Sequence, residues 1–164
     1  MRHEDHVTED DVQIRWLIRR DFDEVQTIDR TATRPFGWPL LLDIMSQRTA
    51  IGRVAECRLT HEIVGLKLER FHTRAIELVY LAVLPGARRN GIATRLLDNC
   101  KSRLLAHHEW HRGSLKQRNR IVCDMDATIV DLHCTLAGNR FRVLSVDNDA
   151  DRYRFVWLPC FERE

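Results

Sequence analysis

No apolar run in the 164-residue chain approaches the ~18 residues that a membrane-spanning helix needs, so no membrane partner is expected. An excess of charge of one sign is also missing: 24 Asp and Glu stand against 26 Lys and Arg, leaving +2. A dedicated nucleic-acid binder usually carries a strong basic excess, so no nucleic acid is expected as a partner. The basic residues Arg112, Lys116, Arg118 and Arg120 read as a solvated loop. There is no Cys-x-x-Cys pair, which removes zinc-ribbon and thioredoxin-like readings. The five cysteines, Cys57, Cys100, Cys123, Cys134 and Cys160, are odd in number and widely spaced. They read as reduced, mostly buried thiols. His-Glu-x-x-His is absent too; His107, His108 and His111 flank Glu109 at the wrong spacing and close a predicted helix, where partly protonated imidazoles suit the dipole. No metal site is expected. The opening Met-Arg-His-Glu-Asp-His is mixed in charge, unlike a secretory signal, and the expected address is the cytoplasm.

What is present is ordinary globular composition, 44% hydrophobic and 30% charged. At roughly 100–200 residues per domain, the length predicts a loose acidic tail over 1–11 and one domain over 12–164. Alternation of Val12, Ile14, Trp16 and Ile18 predicts a first strand. Asp21 and Glu24 have capping-box spacing at the start of a short helix. A breaker-rich loop follows at 34–39, and Pro39 can open a second helix reaching Ser46. Residues 50–59, 63–71 and 74–84 read as three strands with short connections, hence an antiparallel meander. Residues 91–108 carry Ile92, Leu96, Leu97, Cys100, Leu104 and Leu105, a helical stripe. A fifth strand at 120–125 is followed by a helix with Thr128 and Asp131 at its start and Gly138 near its end. Two terminal strands, 141–146 and 152–158, are joined by the turn at 147–149. No repeat is evident, and the order β-α-α-β-β-β-α-β-α-β-β describes a mixed α/β domain.

The informative stretch is 79–97. An apolar strand ends at Pro85 and a small-residue loop opens the long helix. The N–H groups at a helix start carry about half a positive charge and attract anions. Gly91 allows close backbone approach, Ala93 keeps the next turn small, and Arg88 and Arg89 add charge. A ligand with a pyrophosphate is implied.

Val83, Pro85, Arg88, Gly91 and Ala93 match every fixed position of V-x-P-x-x-(Q/R)-x-x-G-x-(G/A). In this motif the chain resembles the GNAT superfamily of acyl-CoA-dependent N-acetyltransferases, and the element order is also the GNAT order. The resemblance implies a splayed, mixed sheet of about seven strands flanked by about four helices, with acetyl-CoA as cosubstrate. It implies that backbone groups of Leu81, Ala82 and Val83 hold the pantetheine arm. Arg88, Arg89, Asn90, Gly91, Ile92, Ala93 and Thr94 would hold the pyrophosphate end. The segment 14–28 and the triplet Phe36-Gly37-Trp38 resemble the RimI-like group, which acetylates protein N-termini. That group has Phe-Pro-Trp beside the acceptor peptide, so Gly37 replaces its proline; two aromatics closing the core explain the triplet equally well.

Departures from that group fall in the catalytic half. Laid on residues 123–141, the family's Glu becomes Asp124, its Asn becomes Ile129, its general-acid Tyr becomes Leu136 and its Gly becomes Arg140, while Phe141 is kept. Leucine can neither ionise nor hydrogen-bond, so slow turnover and rescue by Leu136→Tyr are expected. Asp124 and Glu77, acting through water, are the candidate bases, each with the alternative of a strand carboxylate paired to an arginine; Tyr80 is a further possible proton donor. An α-amine of pKa ~8 costs about 1.4 kcal/mol to neutralise at pH 7, against about 4.6 kcal/mol for a lysine near ~10.4. The expected function is therefore acetyl transfer to a protein or peptide N-terminus or small amine, by a monomer or homodimer. The alternative is an acyl-CoA-binding module that no longer transfers.

Overall fold

The computed structural model describes residues 7–111, 113, 117–126 and 129–159. Thr128, Cys160, Arg112 and Lys116, each given a role above, lie outside the described residues. Among those described, the elements run β1 (Val12–Trp16), α1 (Phe22–Thr31), α2 (Trp38–Ser46), β2 (Ala50–Cys57), β3 (Ile63–Phe71), β4 (Ala75–Val83), α3 (Ile92–Trp110), β5 (Arg120–Asp126), α4 (Val130–Gly138), β6 (Arg142–Asp147) and β7 (Arg152–Trp157). The seven strands form a mixed sheet in the order β1-β2-β3-β4-β5-β7-β6. The expected element order is reproduced, with four α-helices. The meander of β2, β3 and β4 turns at His61, whose N–H donates to the Cys57 carbonyl (2.8 Å), and at His72, whose N–H donates to Ala75 (2.9 Å). No helix among the described residues is long and apolar enough to cross a membrane.

The chain divides into two compact units. The first holds the described residues up to Leu68 and Tyr80–Leu96. In it β1 and β2 pair antiparallel, from Val12↔Cys57 to Trp16↔Arg53. Val12, Ala55, Val64, Val83, Ala87, Ile92 and Leu96 form one buried cluster. Val25 and Ile28, three apart on α1, are buried as well. Part of the expected loose tail is docked: Glu9–Asp11 form a 3-10 turn, and the Asp11 carboxylate accepts from the Thr8 N–H (2.9 Å) and hydroxyl (2.7 Å). The Arg58 N–H donates to the Asp11 carbonyl at 2.8 Å, fixing the entry to β1.

The capping box expected at Asp21 and Glu24 does not form. The buried Asp21 carboxylate accepts from the Ile18 N–H (2.9 Å) and from both terminal nitrogens of Arg15 (2.7 and 2.9 Å). Glu24 instead reaches across the fold to accept from the Ile63 N–H at 2.8 Å. Asp21 is buried against Arg15, and the exposed Glu24 side chain reaches the Ile63 amide, so neither carboxylate is left for the first amides of α1. Arg15 also bonds the buried Glu56, which in turn accepts from Gln13 (3.2 Å) and His61 (3.1 Å).

The second unit holds Glu69–Val79 and the described residues from Leu97 onward. Its parallel ladder pairs Ala75↔Arg120, Ile76↔Ile121 and Glu77↔Val122, and beyond Glu77 β4 runs on to Val83 outside that register. β5 and β7 pair antiparallel from Ile121↔Trp157 to Asp126↔Arg152, and β6 lies outside β7. Fully buried Glu69 on β3 is met by Arg103 of α3 at 2.5 Å. Cys57, Cys100 and Cys123 are buried free thiols, whereas Cys134 is exposed. Burial pushes the Cys123 thiol up to about 12.

Arg15 generates a stability test. Burial raises the pKa of Asp21 and Glu56, but the bonds they accept, those from Arg15 first, outweigh it and hold both below their ordinary 3.8 and 4.5. Depressed carboxylates contribute stability that is present above those ordinary values and is lost as pH falls through the lower folded ones. Arg15→Ala leaves two buried carboxylates without their cation and is expected to cost about 3–5 kcal/mol at pH 7. Denaturant melts should show that gap narrowing below pH 3.8. A gap that stays constant with pH would contradict it.

Candidate active site

The phosphate-binding candidates all fall in the first unit. After β4, Pro85–Ala87 make a 3-10 turn, Arg89 takes a positive φ of 63° and Gly91 one of 78°, and α3 begins at Ile92. The Gly91 carbonyl accepts the Arg95 N–H at 2.9 Å, which makes it the first acceptor of the helix. Helix geometry leaves the N–H groups of the first turn without intrahelical acceptors, so they point out of the helix start. Arg89 is exposed and Asn90 half-buried beside them, while the Ile92 side chain is buried and only its backbone is on offer. The site thus presents backbone donors, a helix dipole and one exposed guanidinium. That donor set fits a diphosphate.

Arg88 has another task than sequence reasoning gave it. Its Nε donates to the Val83 carbonyl (3.0 Å) and a terminal nitrogen to the carbonyl of Thr31 (3.1 Å), the last residue of α1. A guanidinium at a helix C-terminus is favoured by the dipole, and here it ties that end of α1 to the end of β4. Leu81 is half-buried, and Ala82 and Val83 are buried side chains on a strand whose backbone carries the donors and acceptors.

The two candidate bases lie in the second unit and differ in their surroundings. Asp124 on β5 is gripped on both oxygens by Arg154 of β7, at 2.6 Å each, across the register Asp124↔Arg154. This bidentate pair holds the Asp124 carboxyl below the ordinary carboxylate range despite partial burial. Glu77 on β4 accepts from Arg70 at 3.2 Å and lies 2.7 Å from Nε2 of His72, with 23% of its side chain exposed. One histidine near the end of α3 also departs from expectation. His107 contacts Arg118 and stacks on His111 at 4.3 Å, and burial with Arg118 holds its pKa below the ordinary imidazole value, so it stays neutral instead of capping the helix as a cation. Among the described residues no group of three His, Cys, Asp or Glu could hold a metal ion.

Leu136, at the family's tyrosine position, has no exposed surface. A phenol there overpacks a filled core, at a cost of about 1–3 kcal/mol, so rescue by Leu136→Tyr loses its structural basis. The triplet Phe36-Gly37-Trp38 also departs from Phe-Pro-Trp in conformation: Gly37 has φ 86°, which a proline ring held near −65° cannot adopt.

Sequence reasoning missed one buried group altogether. Asp29, in the last turn of α1, accepts from the N–H of Phe36 (2.7 Å) and Gly37 (2.9 Å) and from the hydroxyl of Tyr80 on β4 (2.6 Å). Burial, then the bond to Asp29, pushes the Tyr80 hydroxyl well above its ordinary value, which makes it a poor proton donor. Beside Asp29 lies an open cleft of about 270 Å³ lined by Gln26, Asp29, Arg30, Pro35, Gly37 and Trp38.

A mixed sheet of this order, with a turn and a helix start directly after β4, is the scaffold of an acyl-CoA-dependent transferase. The sequence model of the acetyltransferase (GNAT) family matches residues 12–120, and the chain belongs to that family. Acetyl-CoA is accordingly its cosubstrate. The fold is shared with the PaiA N-acetyltransferase of Thermoplasma acidophilum, solved with coenzyme A, at TM-score 0.73 and 13% identity, covering 90% of this chain and 99% of that one. The ribosomal-protein-S18-alanine N-acetyltransferase of Escherichia coli gives 0.65 and 12%, covering 88% and 90%. The spermidine/spermine N-acetyltransferase SpeG of Vibrio cholerae gives 0.67 and 12%, covering 93% and 95%. No curated protein matches the sequence.

The cradle and the carboxylates each yield a measurable consequence. A Cβ at Gly91 would stand 2.5 Å from the Glu9 carboxylate, so Gly91→Glu sets a second anion against both Glu9 and a phosphate. The variant is expected to fold and to lose coenzyme A binding by calorimetry; unchanged affinity in a folded variant would remove this cradle. For Asp124, whose pKa is depressed, the stabilisation is present above 3.8 and lost as pH falls through the lower folded value. Asp124→Asn should therefore cost no more than about 1 kcal/mol at pH 7, as expected of a partly exposed pair. Melts should show the difference from the wild type shrinking as pH falls below 3.8.

Proposed function

We propose that the protein transfers the acetyl group of acetyl-CoA to the α-amine of a protein or peptide. The observation that carries the choice of amine is the state of the carboxylates. Asp124 is committed to Arg154 on both oxygens, leaving Glu77, with His72 beside it, as the better base acting through a water. A single modest base suits an acceptor of pKa ~8, whose neutral fraction at pH 7 is more than about a hundredfold larger than that of a lysine near ~10.4.

In this reading the first-turn N–H groups of α3 and Arg89 hold the diphosphate, and the backbone of residues 81–83 holds the pantetheine arm like an added strand. When bound, acetyl-CoA supplies the activated acetyl group. A strand N–H of that stretch donates to the thioester carbonyl oxygen, where negative charge develops as the amine attacks. The amine approaches through the cleft beside loop 32–37. As its nitrogen bonds to the acetyl carbon the C–S bond breaks, coenzyme A leaves as its thiolate, and the proton of the amine passes to water. Arg88 braces the turn, and Leu136 contributes packing alone.

The test offers two peptides with acetyl-CoA, one with a free N-terminus and no lysine, one N-terminally blocked with a lysine. Transfer to the free N-terminus is expected to dominate, with a rate rising up to pH about 8. Preference for the blocked peptide would overturn the acceptor assignment. Coenzyme A binding with transfer to neither peptide would leave the non-transferring acyl-CoA-binding module as the reading.

A further inference from the structure

We propose that Asp29 and Tyr80 form a positioning pair that registers loop 32–37, and the cleft it borders, to the β4 stretch 81–83. The inference rests on the reading that this stretch carries the pantetheine arm and the cleft admits the amine. The starting observation is a group in an unfavourable place. A carboxylate in the last turn of a helix opposes the dipole, and its burial costs desolvation. Asp29 is only 4% exposed and has both disadvantages. Three donors on its two oxygens offset them, and none of the three belongs to its own helix: two are loop amides and one is the hydroxyl of Tyr80.

The consequence is geometric. The backbone between Phe36 and Trp38 turns through the positive φ of Gly37, and Asp29 accepts from the two consecutive amides that lead into that turn. Phe36 also stacks on the Tyr80 ring at 5.1 Å. On β4, Tyr80 directly precedes residues 81–83, and at the far end of that stretch the Val83 carbonyl is held by Arg88, which also holds Thr31 of α1. The stretch is therefore bracketed by two links to the same helix end. Asp29 closes the nearer link and simultaneously sets the loop. A loop that loses this tie no longer borders the cleft in one fixed conformation, so the tie governs how tightly the acceptor peptide is held. Asparagine is a weaker solution here: its amide nitrogen is a donor facing donors.

The experiment uses the full chain and the variants Asp29→Asn, Tyr80→Phe and their double. The readouts are thermal melting, coenzyme A affinity by calorimetry, steady-state kinetics with the lysine-free, free-N-terminus peptide, and amide exchange at Phe36 and Gly37. The expected pattern is a peptide KM raised about tenfold, with kcat and coenzyme A affinity changed by less than about threefold. The double variant should be no worse than Asp29→Asn, because both remove one link. Faster exchange at the two loop amides should accompany Asp29→Asn. An unchanged peptide KM in folded variants would overturn the proposal. So would an equal loss of coenzyme A affinity and peptide KM alongside a lowered Tm, the mark of a purely structural residue. If Asp29→Asn does not fold, Tyr80→Phe decides, since it deletes one hydroxyl and keeps the ring. If the wild type acetylates no peptide, the proposed function fails by itself, and unaltered exchange at Phe36 and Gly37 in Asp29→Asn would then overturn the tie independently.

Discussion

The first turns of α3 lie on the strands at a position that has no side chain. A Cβ at Gly65 on β3 would stand 3.2 Å from both Ile92 and Leu96, so the helix and strand approach each other as closely as a glycine permits. Ile92 and Leu96 join Val12, Ala55, Val64 and Val83 in one dry cluster. Close packing of this kind leaves little freedom to slide, because each lost contact is uncompensated. The helix start is thus fixed relative to β4, and with it the direction in which the first-turn amides point. The anion cradle is a by-product of how an apolar stripe is buried.

Polar links do comparable work on α1. Burying a charge is costly unless it is paired, and the first unit carries buried Asp21, Asp29 and Glu56. Arg15 serves two of them and joins β1 to β2 and to the entry of α1. Asp29 serves a loop and a strand. These links supply direction where apolar contact is indifferent to it, because hydrogen bonds are short and angular. They hold the pieces of the site in a defined register.

Much of the fold was legible in the chain. Every strand and helix was anticipated within a few residues, since hydrophobic periodicity, Pro39, Pro85 and Gly138 act locally. The strand, turn and helix start over 83–94 were legible for the same reason, since they are neighbours in sequence. The strand order was not. That β7 lies between β5 and β6 depends on pairings between strands far apart in sequence, which alternation does not encode. The capping box failed because Asp21 and Glu24 found partners on other elements, Arg15 on β1 and the Ile63 amide on β3.

The candidate site residues show the same division. The sequence by itself determined the family motif, the helix start that attracts an anion, and the absence of an ionisable group at Leu136. Only the tertiary structure decided that Arg154 commits Asp124, that Arg88 braces a turn instead of lending its charge, and that the Tyr80 hydroxyl donates its hydrogen bond to Asp29. Asp29 and Tyr80 are separated by 51 residues, and nothing near either announces the other. Motifs report contacts that the backbone makes with its own neighbours. The protonation state and aim of a side chain depend on what folding brings against it, and that is set by packing over the whole unit.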